Sequence, residues 1–189
     1  MGISEDQFFQ DAQQYIRTIW TCMTDGYAHY RSAYPDLDIH RKATRANIVS
    51  DLIFARVVSA FDEVPGTRII FQESTQVRFL SISDSVTLWF KKLDENRQTH
   101  NYPTDEAIKR DGGQGNLFQE ASIIIAGYML NEDETEVKSV CFAPPNKVSP
   151  RWYVDVEAIA QPIQMKGFQR TSPRVRLKIT RGPEQTMIN

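Results

Sequence analysis

From residue 67 to residue 94 the chain alternates short apolar runs with polar breaks, TRIIFQESTQVRFLSISDSVTLWFKKLD. The runs at 69–72, 77–82 and 86–93 are rich in β-branched and aromatic residues, which suit a pleated surface, and they predict three strands. The breaks Glu73-Ser74-Thr75 and Ser83-Asp84-Ser85 are too short for a parallel return, so neighbouring strands should run antiparallel. In the third run Val86, Leu88 and Phe90 fall on one face, and Thr87, Trp89 and Lys91 on the other. The first set is wholly apolar and predicts the core face. Lys92 falls on that same side at the strand's end, where its stem lies over apolar surface and its ammonium reaches water.

Upstream the period changes from two to about three and a half. Ser4 followed by Gln7 resembles a capping box and marks a helix start. Phe9, Ala12, Ile16, Ile19, Trp20 and Met23 then recur three and four apart, as one apolar stripe. Gly26 is a candidate end or weak point. Tyr27, Tyr30 and Tyr34 keep helical spacing beyond it, which carries the helix to about Ala33, ahead of Pro35. That tyrosine stripe reads as the amphipathic edge of a core, with a partner-binding face as the alternative. A second helix is predicted over 41–62, apolar round most of its circumference and so buried against the sheet; Pro65-Gly66 stops it.

Beyond Asp94 a polar segment reaches Thr104, where Thr104-Asp105-Glu106 resembles a short helix start, and Gly112, Gly113 and Gly115 mark a loop. A second β block follows at 122–130, 136–142 and 151–156, its first pair joined as a hairpin by the acidic turn 131–135. Tyr153 and Val154 lie on opposite faces of the last run, as in a strand buried on both sides. From Gln161 onward prolines and glycines interrupt the chain, while 174–179 alternates charged and apolar residues like an edge strand. The expected architecture is one α+β domain over 1–160. Two N-terminal helices pack on a largely antiparallel sheet of about six strands, and an irregular basic extension occupies 161–189.

Composition changes this picture little. The chain has 189 residues, 41% hydrophobic and 24% charged, with a net charge of −2, so nothing global favours nucleic acid or an anionic membrane. The longest apolar runs fall far short of the roughly 20 residues that span a bilayer. The N-terminus lacks the basic-then-apolar pattern of a secretory leader, so a cytoplasmic location is expected. Cys22 and Cys141 are too few and too distant for a disulfide framework and read as reduced core thiols.

Candidate chemistry is sparse. His29, His40 and His100 are scattered, and no paired spacing of histidine or cysteine points to zinc. No phosphate-cradling glycine loop or nucleophile elbow occurs, and no cofactor is expected. Glu132, Asp133, Glu134 and Glu136 have the oxygens to hold a divalent cation but lack the ligand spacing of a calcium loop, so a solvated hairpin tip is the expectation. A metal-dependent nuclease would use Glu73 and Asp84 as ligands with Lys91 or Lys92 beside the scissile phosphate, although the usual short acid-to-lysine spacing is missing. A basic strip is the most suggestive surface: Lys91, Lys92, Arg97, Lys166, Arg170, Arg174, Arg176 and Lys178, with Phe168 among them. Cations interleaved with an aromatic suit a phosphate backbone, whereas the plainer reading is a charged edge that resists pairing.

The segment Leu88-Trp89-Phe90-Lys91-Lys92-Leu93-Asp94-Glu95-Asn96, followed by Pro103-Thr104, resembles uncharacterised bacterial proteins of similar size encoded beside helix-turn-helix or ImmA/IrrE-type genes on mobile elements. The likeness covers mainly 68–107, and loosely the strands around Gly127-Tyr128 and Trp152. It implies a regulatory, toxin–antitoxin or phage-defence setting and carries over no site residue. The functional expectation is therefore a non-enzymatic binding or regulatory protein acting through a protein partner. A nucleic-acid-binding protein using the basic strip is the alternative, and a metal-dependent nuclease comes third.

Overall fold

A computed structural model describes residues 3–35, 42–72, 77–83, 85–99, 122–145, 152–158 and 175–178. Among these, α1 (Glu5–Ala33) and α2 (Lys42–Phe61) precede β1 (Thr67–Gln72), β2 (Val77–Ile82), β3 (Val86–Lys92), β4 (Ser122–Leu130), β5 (Val137–Ala143), β6 (Val154–Ala158) and β7 (Val175–Lys178). The strands form one sheet in chain order, β1 to β7. Every neighbouring pair is antiparallel except β3 with β4, which run parallel with Val86 opposite Ser122 and Lys92 opposite Tyr128. The α+β architecture is as expected: the six anticipated strands are β1 to β6, and the seventh comes from the extension.

Ser4 caps α1 by accepting the Gln7 N–H at 3.2 Å, but the Gln7 side chain turns to Asp11 at 3.1 Å, so only one arm of the capping box forms. The buried stripe of α1 is led by Phe8, with Phe9 only half-buried; Phe8 stacks its ring 5.3 Å from both Phe142 and Trp152. Gly26 does not end the helix. A Cβ there would sit 2.7 Å from the Ile53 Cα, so the missing side chain is what lets α1 and α2 approach. α2 is more one-sided than its composition suggests. Val49, Ile53, Phe54, Val57 and Phe61 are buried, while Val58 is 37% exposed.

The helices cover one face of the sheet, where they bury Leu80, Val86, Leu88, Phe90, Ile124, Val140, Phe142 and Val154. The far face is also buried, against the expectation of a single core face on β3. Thr87 is 0% exposed, and Trp89, 4% exposed, belongs to a second cluster with Phe79, Leu93, Ile123, Ile125 and Cys141. The parallel pairing of β3 with β4 places both strands mid-sheet, where parallel strands bury both faces and read as continuous apolar runs. Gly127 serves this second layer, since a Cβ would lie 2.2 Å from Leu93 Cδ1. Tyr153 packs on the far cluster and Val154 on the helix side, as the alternation of that strand requires. Both cysteines are buried and unpaired. No helix among the described residues is long and apolar enough to cross a membrane.

Candidate functional site

Because β3 and β4 are parallel, their C-terminal ends emerge together, and Leu93 extends the ladder by donating its N–H to Tyr128 O at 2.9 Å. The chain then turns on Asp94, whose carboxylate accepts the Gln98 N–H at 2.8 Å and whose carbonyl accepts the Arg97 N–H at 3.0 Å. This turn holds Arg97 left-handed at φ 57°. Its guanidinium grips Asp155 with two prongs, Nε to Oδ1 at 3.1 Å and Nη2 to Oδ2, and stacks 4.2 Å above the Tyr153 ring. The Asp155 carboxylate raises the Arg97 pKa further and fixes the guanidinium as a permanent cation.

The β4–β5 hairpin supplies the opposite wall. The Asn131 side chain accepts the N–H groups of Thr135 at 2.8 Å and Glu136 at 3.2 Å, and its carbonyl accepts Glu134 N at 3.0 Å. Glu134 is thereby held left-handed at φ 49° and directed back onto the fold. Its carboxylate meets Lys92 Nζ at 2.6 Å and Arg45 Nη2 at 2.8 Å, and its carbonyl accepts the Tyr27 hydroxyl at 2.6 Å. One hairpin residue thus ties together α1, α2 and β3. The acidic turn is a solvated tip at Glu132, Asp133 and Glu136, which are exposed; at Glu134 two cations draw the carboxylate inward. Burial raises the Tyr128 phenol well above its ordinary range, and burial followed by the Glu134 charge raises that of Tyr27.

Between these walls lies an open cleft of about 1380 Å³, lined among others by Tyr27, Arg45, Lys92, Arg97, Tyr128 and Asp155. Its floor is aromatic and aliphatic. Its rim carries both signs of charge, with Arg45 and Lys92 on Glu134 and Arg97 on Asp155.

The structure distributes the anticipated basic strip over different surroundings. Lys92 and Arg97 line the cleft, each on a carboxylate. Lys91 lies on the far face with Nζ 4.3 Å above the Trp89 ring. Arg176 and Lys178 fall in β7 at register positions opposite Glu157 and Asp155. Lys166, Arg170 and Arg174 lie outside the described residues, as do Glu73, Asp84, His40, His100 and the 112–115 loop. His29 is exposed on α1, and among the described residues no group of three or more acids, histidines or cysteines is placed to hold a metal ion. Reading the sequence missed Arg45, Tyr128 and Asp155 as members of one site. Only Asp155 leaves a signal, as a lone acid within the apolar run Tyr153-Val154-Asp155-Val156.

No family model matches the chain, and no curated protein or solved structure matches it.

Proposed function

We propose that this is a non-enzymatic binding protein that acts through a protein partner, and that the cleft at the ends of β3 and β4 is the contact surface. The observation that carries the reading is the pairing of the cleft's own charges. Lys92 and Arg45 share Glu134, and Arg97 is paired with Asp155, so these rim cations are already engaged by carboxylates, and both signs of charge surround the apolar floor. Mixed charge round aromatic and aliphatic surface suits a protein segment, whereas a phosphate backbone calls for cations in excess. Arg97 and Glu134, like Glu63 and Ser83 in turns outside the cleft, are held left-handed, and their turns fix these two charges on the cleft walls. A regulatory partner also fits the setting that the resemblance implies.

The test is affinity capture of the tagged full chain from its native host, with and without nuclease, beside a variant carrying Glu95→Arg, Glu132→Arg and Lys138→Glu. These three side chains are exposed on the cleft rim, so the fold should survive. Stoichiometric capture of one protein that resists nuclease and is lost in the variant is the expected result. Capture of nucleic acid alone, weakening steeply with salt, favours the basic-strip alternative and overturns this one.

A further inference from the structure

The sheet has two ends of unlike chemistry. β7 closes one with alternating charge, Val175-Arg176-Leu177-Lys178, the usual device that keeps an edge from pairing. β1 closes the other with Thr67-Arg68-Ile69-Ile70-Phe71-Gln72, which has no proline, no lysine and an unbroken register against β2. Phe71 is 47% exposed there, the highest exposure among the large hydrophobic side chains described.

We propose that two copies of this chain pair antiparallel through their β1 edges about a two-fold axis at Ile70, joining two seven-stranded sheets into one. This rests on the edge alone and is independent of the cleft. The hydrogen-bond phase of β1 sets the register. Ser83 donates its N–H to Gly66 O at 2.8 Å, which makes the even-numbered residues of β1 the ones bonded to β2. The N–H and C=O groups of Ile69 and Phe71 therefore point outward. A perpendicular two-fold keeps each face of the sheet on its own side, so it must pass through a residue opposite its own copy. Centring it on Ile70 places Ile69 opposite Phe71 of the second copy and pairs the N–H and C=O groups of both residues.

Three matches follow. Ile69 packs on the helix-side core, and Phe71 shares its face, so the first pair extends that core across the axis. Ile70 packs on the far cluster and meets its own copy, extending that layer as well. Gln72 falls opposite Arg68 of the second copy, so an amide meets a guanidinium at each end of the pairing and no like charges are opposed. The contact is symmetric, so each pair counts twice.

Sedimentation velocity on the full chain across a concentration series tests this, together with engineered cysteines. The dimer should form reversibly. Phe71→Lys and Phe71→Pro, both at an exposed edge position, should each weaken it by about tenfold or more, since a charge or a lost outward N–H is introduced twice. Ile70→Cys should form an intermolecular disulfide under mild oxidation, because a non-hydrogen-bonded pair brings Cα atoms to about 4.5 Å. Arg68→Cys should not, since it faces position 72 of the other copy. Background is low because Cys22 and Cys141 are buried. A chain monomeric at every concentration overturns the proposal, as does a dimer that survives both Phe71 variants or cross-links equally through position 68.

Discussion

Arg97 and Asp155, 58 residues apart in the chain, close a two-pronged ion pair at the end of the sheet, and the Asp155 side chain there is only 10% exposed. The pair links the turn after β3 to β6, three strands away in the sheet order. Removing the cation leaves a nearly buried carboxylate without its counter-charge. Arg97→Ala should therefore cost about 2–3 kcal/mol, below the roughly 3–5 kcal/mol of a fully buried pair because Arg97 is 30% exposed. Arg97→Lys, which keeps the charge and loses the fork and the stack on Tyr153, should cost about half of that. Urea midpoints at unchanged slope measure both.

Two glycines separate contact with backbone from contact with a side chain. Gly26→Ala drives a Cβ into the Ile53 Cα and should destabilise by about 1–3 kcal/mol despite alanine's better helix propensity. Ile53→Ala should give little rescue, because it removes the clash with Cγ1 but leaves the equally close Cα. Gly127→Ala meets only the Leu93 side chain, so adding Leu93→Ala should recover part of the loss. Thermal unfolding of the two double-mutant cycles measures the contrast.

The buried thiols set a limit on the alkaline side. Burial, and after it the Asp25 charge, pushes the Cys22 thiol from about 9 up to about 11, and burial together with Asp155 pushes Cys141 higher still. The folded state therefore holds protons that the unfolded state releases, and stability should fall as pH rises above about 9, by about 1.4 kcal/mol per pH unit for each thiol. Replacing both cysteines with alanine should flatten that limb of a stability–pH curve. Tyr27 and Tyr128, also raised, contribute only above the ordinary tyrosine range near 10.

The scaffold was largely legible because its signals are local. Period-two and helical spacings, the Ser4 cap and the short breaks at 73–75 and 83–85 each follow from a few neighbouring residues, and the α+β architecture came out as expected. Two features were not local. The parallel joint between β3 and β4 depends on what lies far along the chain, and so does the burial of Thr87 and Trp89 on the second face. The cleft was half-legible for the same reason. Lys92 and Arg97 were singled out for their charge, but their partners Glu134 and Asp155 lie 42 and 58 residues away, with no spacing rule to connect them. Sequence alone marks Gly26 as a candidate end or weak point within the helix, because it does not reveal the neighbouring helix that the residue admits.

Glu134 should matter more to binding than to stability. Its ion pairs join side chains that are 34–40% exposed, so Glu134→Gln should cost less than about 1 kcal/mol, and less again at high salt. Partner capture, by contrast, should drop markedly, since the substitution frees Arg45 and Lys92 and unbalances the rim. Urea unfolding and quantitative capture on the same preparation measure the two effects together.

The most direct measurement is hydrogen exchange on the captured complex compared with the chain alone. Slowed exchange concentrated at 92–98 and 128–137, on the two walls of the cleft, is the expected result. Protection confined to other surfaces, or bound material that proves to be nucleic acid, would contradict it.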